Sequence, residues 1–290
     1  MHVLKDTAPI RIDKSFEMPS IPLVLTKILQ VLDDDSASAK QLEELILHDP
    51  PLSARILKLS NSAFYSFRAE VKTISHAISL LGINLVKSLA IGVNLFDSFT
   101  MGMKSEATLL SRLWMHSFGT GLVAQEIWTR RSSKKDGEFA FMCGLLHDIG
   151  KVVFFKKDAS RYRPLFTADK SQKDPDISHY EMDYFGMDHA GIGALLAKEW
   201  GLPPELASAI RYHHSPLDSN ALLASVISLA DMIAKVSEIG YDGDRKVDSA
   251  VTRIQSRVSM NAEECRRLMA FAVDKRKTVE GFFEITTKIG

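Results

Sequence analysis

Residues 138–155 read EFAFMCGLLHDIGKVVFF, an almost wholly apolar run interrupted by an adjacent imidazole and carboxylate, His147 and Asp148, with Lys151 one helical turn further on. Apolar residues recur through it at helical spacing, so Glu138 to Phe155 is expected as one helix. Val152 to Phe155 would pass as a strand on propensity, but the segment extends the helical stripe and stands alone. Packing alone does not explain a His-Asp pair in such a run, because polar groups buried there need partners. Imidazole and carboxylate together hold hard or borderline divalent metals. Consecutive side chains on a helix diverge by about 100°. Both therefore reach one ion only where it lies against the helix flank and other helices close the far side.

Working outward, helix signals recur and strand signals are scarce. Ser38 with Gln41 forms a capping box ahead of Leu42, Leu45 and Ile46. Asp49 caps a helix that Pro50 opens and whose face carries Leu52, Ile56 and Leu59. Thr73 opens another, with Ile74, Ala77, Ile78 and Leu81 in one stripe and Gly82 as a left-handed C-cap. Leu85 to Phe96 continues as a largely buried helix, and Met101 to Glu106 makes a polar break. Beyond it, Leu109 to Trp128 carries His116, and Asp188 caps a helix that ends at Trp200 before Gly201 and Pro203. Pro203-Pro204 start the next, which runs to about His214; Ala221 to Ile239 carries Asp231, and two amphipathic helices fill Asp244 to the C-terminus. The expected fold is all-α, with an arm over 1–17, an N-terminal helical lobe over 18–105 and a second helical lobe over 106–290, the lobes in contact.

Bulk properties narrow the function classes. Of 290 residues, 46% are hydrophobic and 25% charged, an ordinary balance for a soluble globular protein. Net charge is zero and the pI near 7.1, so no global field draws the chain to nucleic acid or a membrane. The basic runs at Arg130-Arg131…Lys134-Lys135 and Lys275-Arg276-Lys277 read as solvated faces. Cys143 and Cys265 form no CxxC pair, which fits a reducing compartment. Met1 to Pro22 carries charges throughout and no apolar core of a signal peptide. The expectation is a cytoplasmic protein with neither nucleic acid nor membrane as partner.

Five histidines and two acids fall in the order H…HD…H…HH…D. His116, His147, Asp148 and Asp231 offer a first ion two imidazoles and two carboxylates. His189, His213 and His214 form a second cluster, with Asp148 able to bridge two ions. Fe, Mn, Ni and Zn suit such donors nearly equally, so the implied cofactor is one or two divalent transition metal ions. Lys151 lies on the same side, where an ammonium would serve as a point charge for phosphate. Two close metals with a bridging hydroxide suit phosphoester hydrolysis. Each residue also has a plainer reading. His116 alone could be a core histidine, His213-His214 a helix C-terminus where positive charge is favoured, Asp231 a buried cap, and Asp188-His189 an N-cap with a polar neighbour. Their joint occurrence in one order favours ligation. His48, His76 and His179 lack such company and read as structural, and Cys143 as a small buried hydrophobe.

These residues resemble the HD superfamily of metal-dependent phosphohydrolases and, over most of the chain, the HDOD (HD-related output domain) family. The N-terminal half of the resemblance is Met18-Pro19-Ser20-Ile21-Pro22, Leu47-His48-Asp49-Pro50-Pro51-Leu52, Leu59-Ser60-Asn61-Ser62-Ala63 and Ala77-Ile78-Ser79-Leu80-Leu81-Gly82. The second half is Gly144 to Lys151, Asp188-His189-Ala190-Gly191-Ile192-Gly193 and Tyr212-His213-His214. Coverage runs from about Met18 to Asp231. The resemblance implies an N-terminal helical lobe packed on an HD-type helical bundle, and a role in bacterial signal transduction, often joined to sensory or receiver domains. No such domain is recognised in this sequence, which reads as a stand-alone version.

The chain departs from the catalytic relatives at two places. Phosphodiesterases that cleave cyclic di-GMP carry Gly-Tyr-Pro after the paired histidines, whereas Ser215-Pro216-Leu217 follows His214 here. Some of them have a Glu one turn before the first His that helps hold a third metal; here Arg112 stands there. Two readings follow. One is a signalling module whose pocket holds a metal, with room for a small phosphate-containing ligand and for signalling protein partners. The other is a metal-dependent phosphohydrolase acting on a nucleotide or cyclic dinucleotide, with Asp148 and Lys151 in catalytic roles. The absent Gly-Tyr-Pro and the N-terminal lobe favour the first; the intact ligand set and Lys151 favour the second. The Ser171 to Glu181 loop and the N-terminal lobe are the segments that would decide access to His147.

Overall fold

Capping residues write the ends of the short amphipathic helices in the N-terminal lobe. The computed structural model describes residues 26, 39–61, 70–100, 102–132, 134–167 and 177–287. The 1–17 arm, the Met18–Pro22 motif, Ser38, Ser62-Ala63 and residues 171–176 lie outside the described residues. Helix α1 (Ala39–Leu47) buries Leu42 and Ile46. Helix α2 (Pro50–Ser60) begins where Asp49 accepts the Leu52 amide at 3.0 Å, with prolines where a helix start has no use for N–H donors. At its end the Asn61 side chain donates to the Leu57 and Val71 carbonyls and accepts from the Val71 amide. One amide thus ties the chain together on both sides of residues 62–69.

Helix α3 (Ile74–Leu81) is capped by the Thr73 hydroxyl, which accepts the His76 amide at 3.1 Å. Gly82 takes a positive φ of 92° with an extended ψ of 152°. This differs from the left-handed helical cap expected, because the chain turns at once into α4 (Ile83–Thr100). Arg55 of α2 pairs with Asp97 of α4.

After a 3₁₀ turn at Lys104–Glu106, the second lobe runs α5 (Ala107–Thr129), α6 (Lys134–Leu146), α7 (Ile149–Tyr162) and α8 (Pro164–Thr167). There follow α9 (Ile177–Phe185), α10 (His189–Glu199), α11 (Pro204–Tyr212), α12 (Leu222–Val236), α13 (Val251–Arg257) and α14 (Ala262–Thr287). The fold is all-α, with no strand among the described residues; Val152–Phe155 is helical. The region after Asp244 stays irregular until Val251, where two helices had been expected to fill it throughout. Two aspartates followed by charged residues leave no apolar stripe there for a helix to bury. No single described helix is long and apolar enough to cross a membrane.

Two close backbone approaches set the geometry that follows. A Cβ on Gly144 would stand 2.7 Å from Gly121 Cα, so α5 and α6 touch backbone to backbone where only glycine fits. A Cβ on Gly150 would stand 2.1 Å from His189 O, which fixes α7 against the start of α10. Beneath, Phe154 stacks on Phe185 at 4.3 Å and Tyr162 packs edge-on against Phe155. Helix α4 packs along α6, seating the N-terminal lobe on the bundle.

Candidate metal centre

The expected Glu138–Phe155 helix breaks at the two residues that matter. Helix α6 ends at Leu146, α7 begins at Ile149, and His147 and Asp148 form the turn between them. Asp148 sits at the N-cap position with φ −101° and ψ 12°, a sparsely occupied backbone region common at active sites. An aspartate there ordinarily caps the helix, yet this one makes no cap hydrogen bond. Its oxygens are turned to Lys151 and to the histidines. The break lets both side chains face one interior space, which consecutive positions on an unbroken helix would not.

His116, His147, Asp148, His189, His213 and Asp231 are each at most 4% exposed; His214 is exposed on its outer side. His116 Nε2 lies 2.8 Å from Asp231 Oδ1, and His147 Nε2 lies 3.8 Å from the same oxygen. His189 Nε2 lies 2.8 Å from His214 Nε2 and 3.4 Å from Asp148 Oδ1, with His213 Nε2 3.8 Å from that oxygen. Asp148 Oδ2 approaches His147 Nε2 at 3.3 Å. The expected donors gather into two groups, His116, His147 and Asp231 on one side and Asp148, His189, His213 and His214 on the other, each within 4.8 Å across, and a third combination, His116, Asp148 and Asp242, meets the same limit. Asp148 faces both.

The hydrogen bonds prepare the rings to ligate. His147 Nδ1 is 2.7 Å from Gly144 O, His213 Nδ1 is 2.7 Å from Ile210 O, and His189 Nδ1 is 2.6 Å from Glu181 Oε2. Each acceptor assigns the proton to Nδ1 and leaves the Nε2 lone pair facing inward. His147 Nε2, His213 Nε2 and Asp148 Oδ1 are buried with no hydrogen-bond partner, an arrangement costly in a core unless a cation supplies the partner. The donor set therefore fits a divalent transition metal.

Sequence reasoning missed four residues of this network. Glu181, placed by the sequence reading at the end of a loop, lies inside α9, where it holds the His189 amide at 2.8 Å as well as Nδ1, and accepts the Tyr162 hydroxyl. Lys235 Nζ sits 3.1 Å from Asp231 Oδ2, 3.2 Å from Asp242 Oδ2 and 3.1 Å from Asp244 Oδ1. Signals existed. Glu181 falls on the buried stripe of Ile177, Tyr184 and Phe185, and Asp231 and Lys235 are the two charges of an otherwise uncharged α12, four residues apart. Nothing in the local pattern marks Asp242. It arrives because Gly240 presses its backbone against Arg112 and His116, where a Cβ would meet Arg112 O and His116 N at 2.3 Å.

Lys151, expected to face a phosphate, is fully buried and bonded to Asp148 Oδ2 at 2.9 Å and Asp242 Oδ2 at 2.7 Å. Its charge is taken up inside the protein, and its role here is to hold Asp148. Among these buried groups, the five carboxylates Asp148, Glu181, Asp231, Asp242 and Asp244 outnumber the two ammoniums of Lys151 and Lys235, and, against burial, Asp148 and Asp231 raise His147 above the ordinary imidazole value. Burial opposes ionisation of Asp148 and Asp231, but His147 and Lys151 beside the first, and Lys235 and His116 beside the second, hold both well below the usual carboxylate range. Asp242, despite burial, is drawn down to about 2 by Lys151 and Lys235. Burial and the neighbouring rings of His147 and His189 push His213 well below the ordinary imidazole value, so it stays a neutral donor.

Comparison with known proteins places this geometry. A sequence model of the HDOD domain matches residues 18–216. A Treponema pallidum protein of uncharacterised function is 26% identical over 281 residues, covering 94% of this chain and 51% of that protein. Ribonuclease Y of Mycoplasma mycoides is 24% identical over 206 residues, covering 68% of this chain and 38% of the enzyme. The chain thus spans about half the length of the first relative and less of the second. Among solved structures, a phosphohydrolase candidate from Shewanella amazonensis superposes with a TM-score of 0.70 at 26% identity, covering 92% of this chain and 94% of that one. An HDOD domain protein of unknown function from Geobacter sulfurreducens superposes at 0.69, with 23% identity and 93% of each chain covered, and shares the fold.

Proposed function

The chain belongs to the HDOD domain family, and from that premise we propose that it is a signal-transduction module that holds one or two divalent metal ions in an HD-type centre. The observation that carries this reading is the trio of buried, unpartnered atoms, His147 Nε2, His213 Nε2 and Asp148 Oδ1, backed by buried carboxylates that outnumber the buried lysine ammoniums. His116, His147 and Asp231 would hold one ion, and His189, His213 and His214 the other, with Asp148 shared. The depth of the centre supports binding over turnover: of its seven donor residues only His214 meets solvent.

The test is elemental analysis of protein purified without a His-tag or chelator, beside Asp148→Ala. Two equivalents in the wild type and none retained in the variant is the expected result. Unchanged metal content in Asp148→Ala refutes the ligand assignment.

One observation favours a second reading, a phosphohydrolase acting on a nucleotide or cyclic dinucleotide. Asp148 is oriented toward both donor groups, as a carboxylate shared by two metals would be, and similarity extends to a phosphohydrolase candidate. The ions would supply an activated water and charge stabilisation. Asp148 would position them, Lys151 would keep Asp148 ionised and oriented, and the buried walls would exclude bulk water. Hydrolysis of bis(p-nitrophenyl) phosphate by manganese-loaded protein at a rate no greater than that of Asp148→Ala would remove this reading.

A further inference from the structure

Beside the centre, on the His116 side, lies a cavity of about 310 Å³ lined by Arg112, His116, Lys235, Tyr241, Asp242 and Arg245, among others. Its size is at the small end of the range for small-molecule sites, roughly 300–1,000 Å³. The lining mixes both signs of charge, and most of that charge is spent. Lys235 is held by three carboxylates, including the Asp242 and Asp244 of the lining. Arg276 is held by Glu238 and Glu280. Arg112 is the exception. It is half-buried, makes no ion pair with a described residue, and rests its guanidinium on the Tyr241 ring, 4.9 Å from the centroid. Arg245 brings a second guanidinium over the same ring at 4.9 Å.

A half-buried guanidinium with no ion-pair partner among the described residues, resting on a ring that a second guanidinium also covers, leaves this edge of the cavity able to take an anion. With guanidiniums over its ring, Tyr241 is not offered as a stacking platform for a base, so recognition here falls on the charged part of a ligand. The site is also rigid. The Tyr241 amide donates to Arg112 O at 3.0 Å, its hydroxyl to Gly243 O at 2.9 Å, and Gly240 lies in backbone contact with α5. We propose that this cavity binds a phosphate group, free or carried by a nucleotide, with Arg112 as the residue that grips it. The proposal deepens the metal-module reading by giving the centre a ligand, but Arg112 does not depend on the metals.

The experiment is calorimetric titration of inorganic phosphate, pyrophosphate and a nucleoside 5′-monophosphate into wild type, Arg112→Gln and Arg112→Lys. Each protein is tested metal-loaded and metal-stripped, with metal content measured in parallel. A charged hydrogen bond lost from such a site weakens binding by roughly tenfold or more. The expected result is that loss in Arg112→Gln with unchanged metal content, and partial recovery in Arg112→Lys, which keeps the charge but not the fork. Tighter binding of the monophosphate than of inorganic phosphate identifies a nucleotide; equal binding identifies free phosphate; both sustain the site. Equal affinity in wild type and Arg112→Gln overturns it, as does absence of binding of all three probes to the wild type. Wild-type protein that takes up no metal on loading yet binds phosphate through Arg112 would sink the metal-module reading and leave this one standing.

Discussion

Replacing Lys235 with Met tests the charge ledger of the centre most directly. The ammonium lies within 3.2 Å of three aspartates and its side chain is 3% exposed. Burial alone would lower its basicity, yet Asp231, Asp242 and Asp244 hold it well above the ordinary lysine value. Methionine keeps the length and removes the charge, leaving buried carboxylates short of one more cation. Removing one partner from a buried charge pair costs about 3–5 kcal/mol. For a domain of this size, each kcal/mol moves the melting temperature by roughly 2–4 °C. The metal-stripped variant should therefore melt about 10 °C below the stripped wild type, followed by circular dichroism at low protein concentration. Saturating manganese should recover part of that gap, because a divalent ion on Asp231 supplies charge the lysine had supplied. A drop under about 2 °C in the stripped protein would mean that the carboxylates are not ionised as argued, and the case for a charge-deficient core would go with it.

Asp242→Asn should show the acid side of the same network. The carboxyl is drawn to about 2 in the folded protein, below its ordinary 3.8. Its contribution is therefore present above about pH 4 and is lost as pH falls through about 2. At one pKa unit per 1.36 kcal/mol, wild type and variant should differ by about 2 kcal/mol in urea unfolding at neutral pH and converge near pH 2; a gap independent of pH would contradict the assignment. Glu181→Gln keeps an acceptor for His189 Nδ1 but removes the charge behind it. Loss of such a carboxylate typically lowers metal affinity by roughly 10–100-fold, so chelator competition should show one of two equivalents weakened. Equal weakening of both, or of neither, would dissociate Glu181 from the His189 group.

The sequence made the helices legible because their ends are chemically marked. Asp49, Thr73 and Asp188 all accept the backbone amides their positions predict, and apolar spacing marks the faces between them. The clustering of these His and Asp side chains was legible because such residues in an apolar run have few other uses. The supporting shell was not, for physical reasons that differ residue by residue. Glu181 reads as an ordinary surface acid until α9 is folded against α7 and Tyr162. Asp242 lies 91 residues from Lys151, its closest partner, and no local pattern encodes a pairing made by the turn at Gly240. At the centre itself the backbone differs from the expected unbroken helix through His147-Asp148 because apolar periodicity continues through a turn. Periodicity reports burial, and the turn is as buried as the helices on either side.

That turn explains how one short stretch serves two donor groups. With α6 held to α5 at Gly144 and α7 held to α10 at Gly150, the two residues between them are fixed from both sides. His147 belongs to the wall that carries His116 and Asp231, while Asp148 looks across to the wall that carries His189 and His213. Any movement of α7 against α6 would change both groups at once, since Asp148 is common to them and Lys151 ties it to the Asp242 turn. The cavity at Arg112 shares that turn through Tyr241 and Asp242. A ligand seated there would press on the same strap that Lys151 and Lys235 hold. If metal and ligand are coupled through that loop, reciprocity requires each to alter the affinity of the other by the same factor. Loaded and stripped protein should then bind phosphate differently, and phosphate should shift chelator competition by the same ratio.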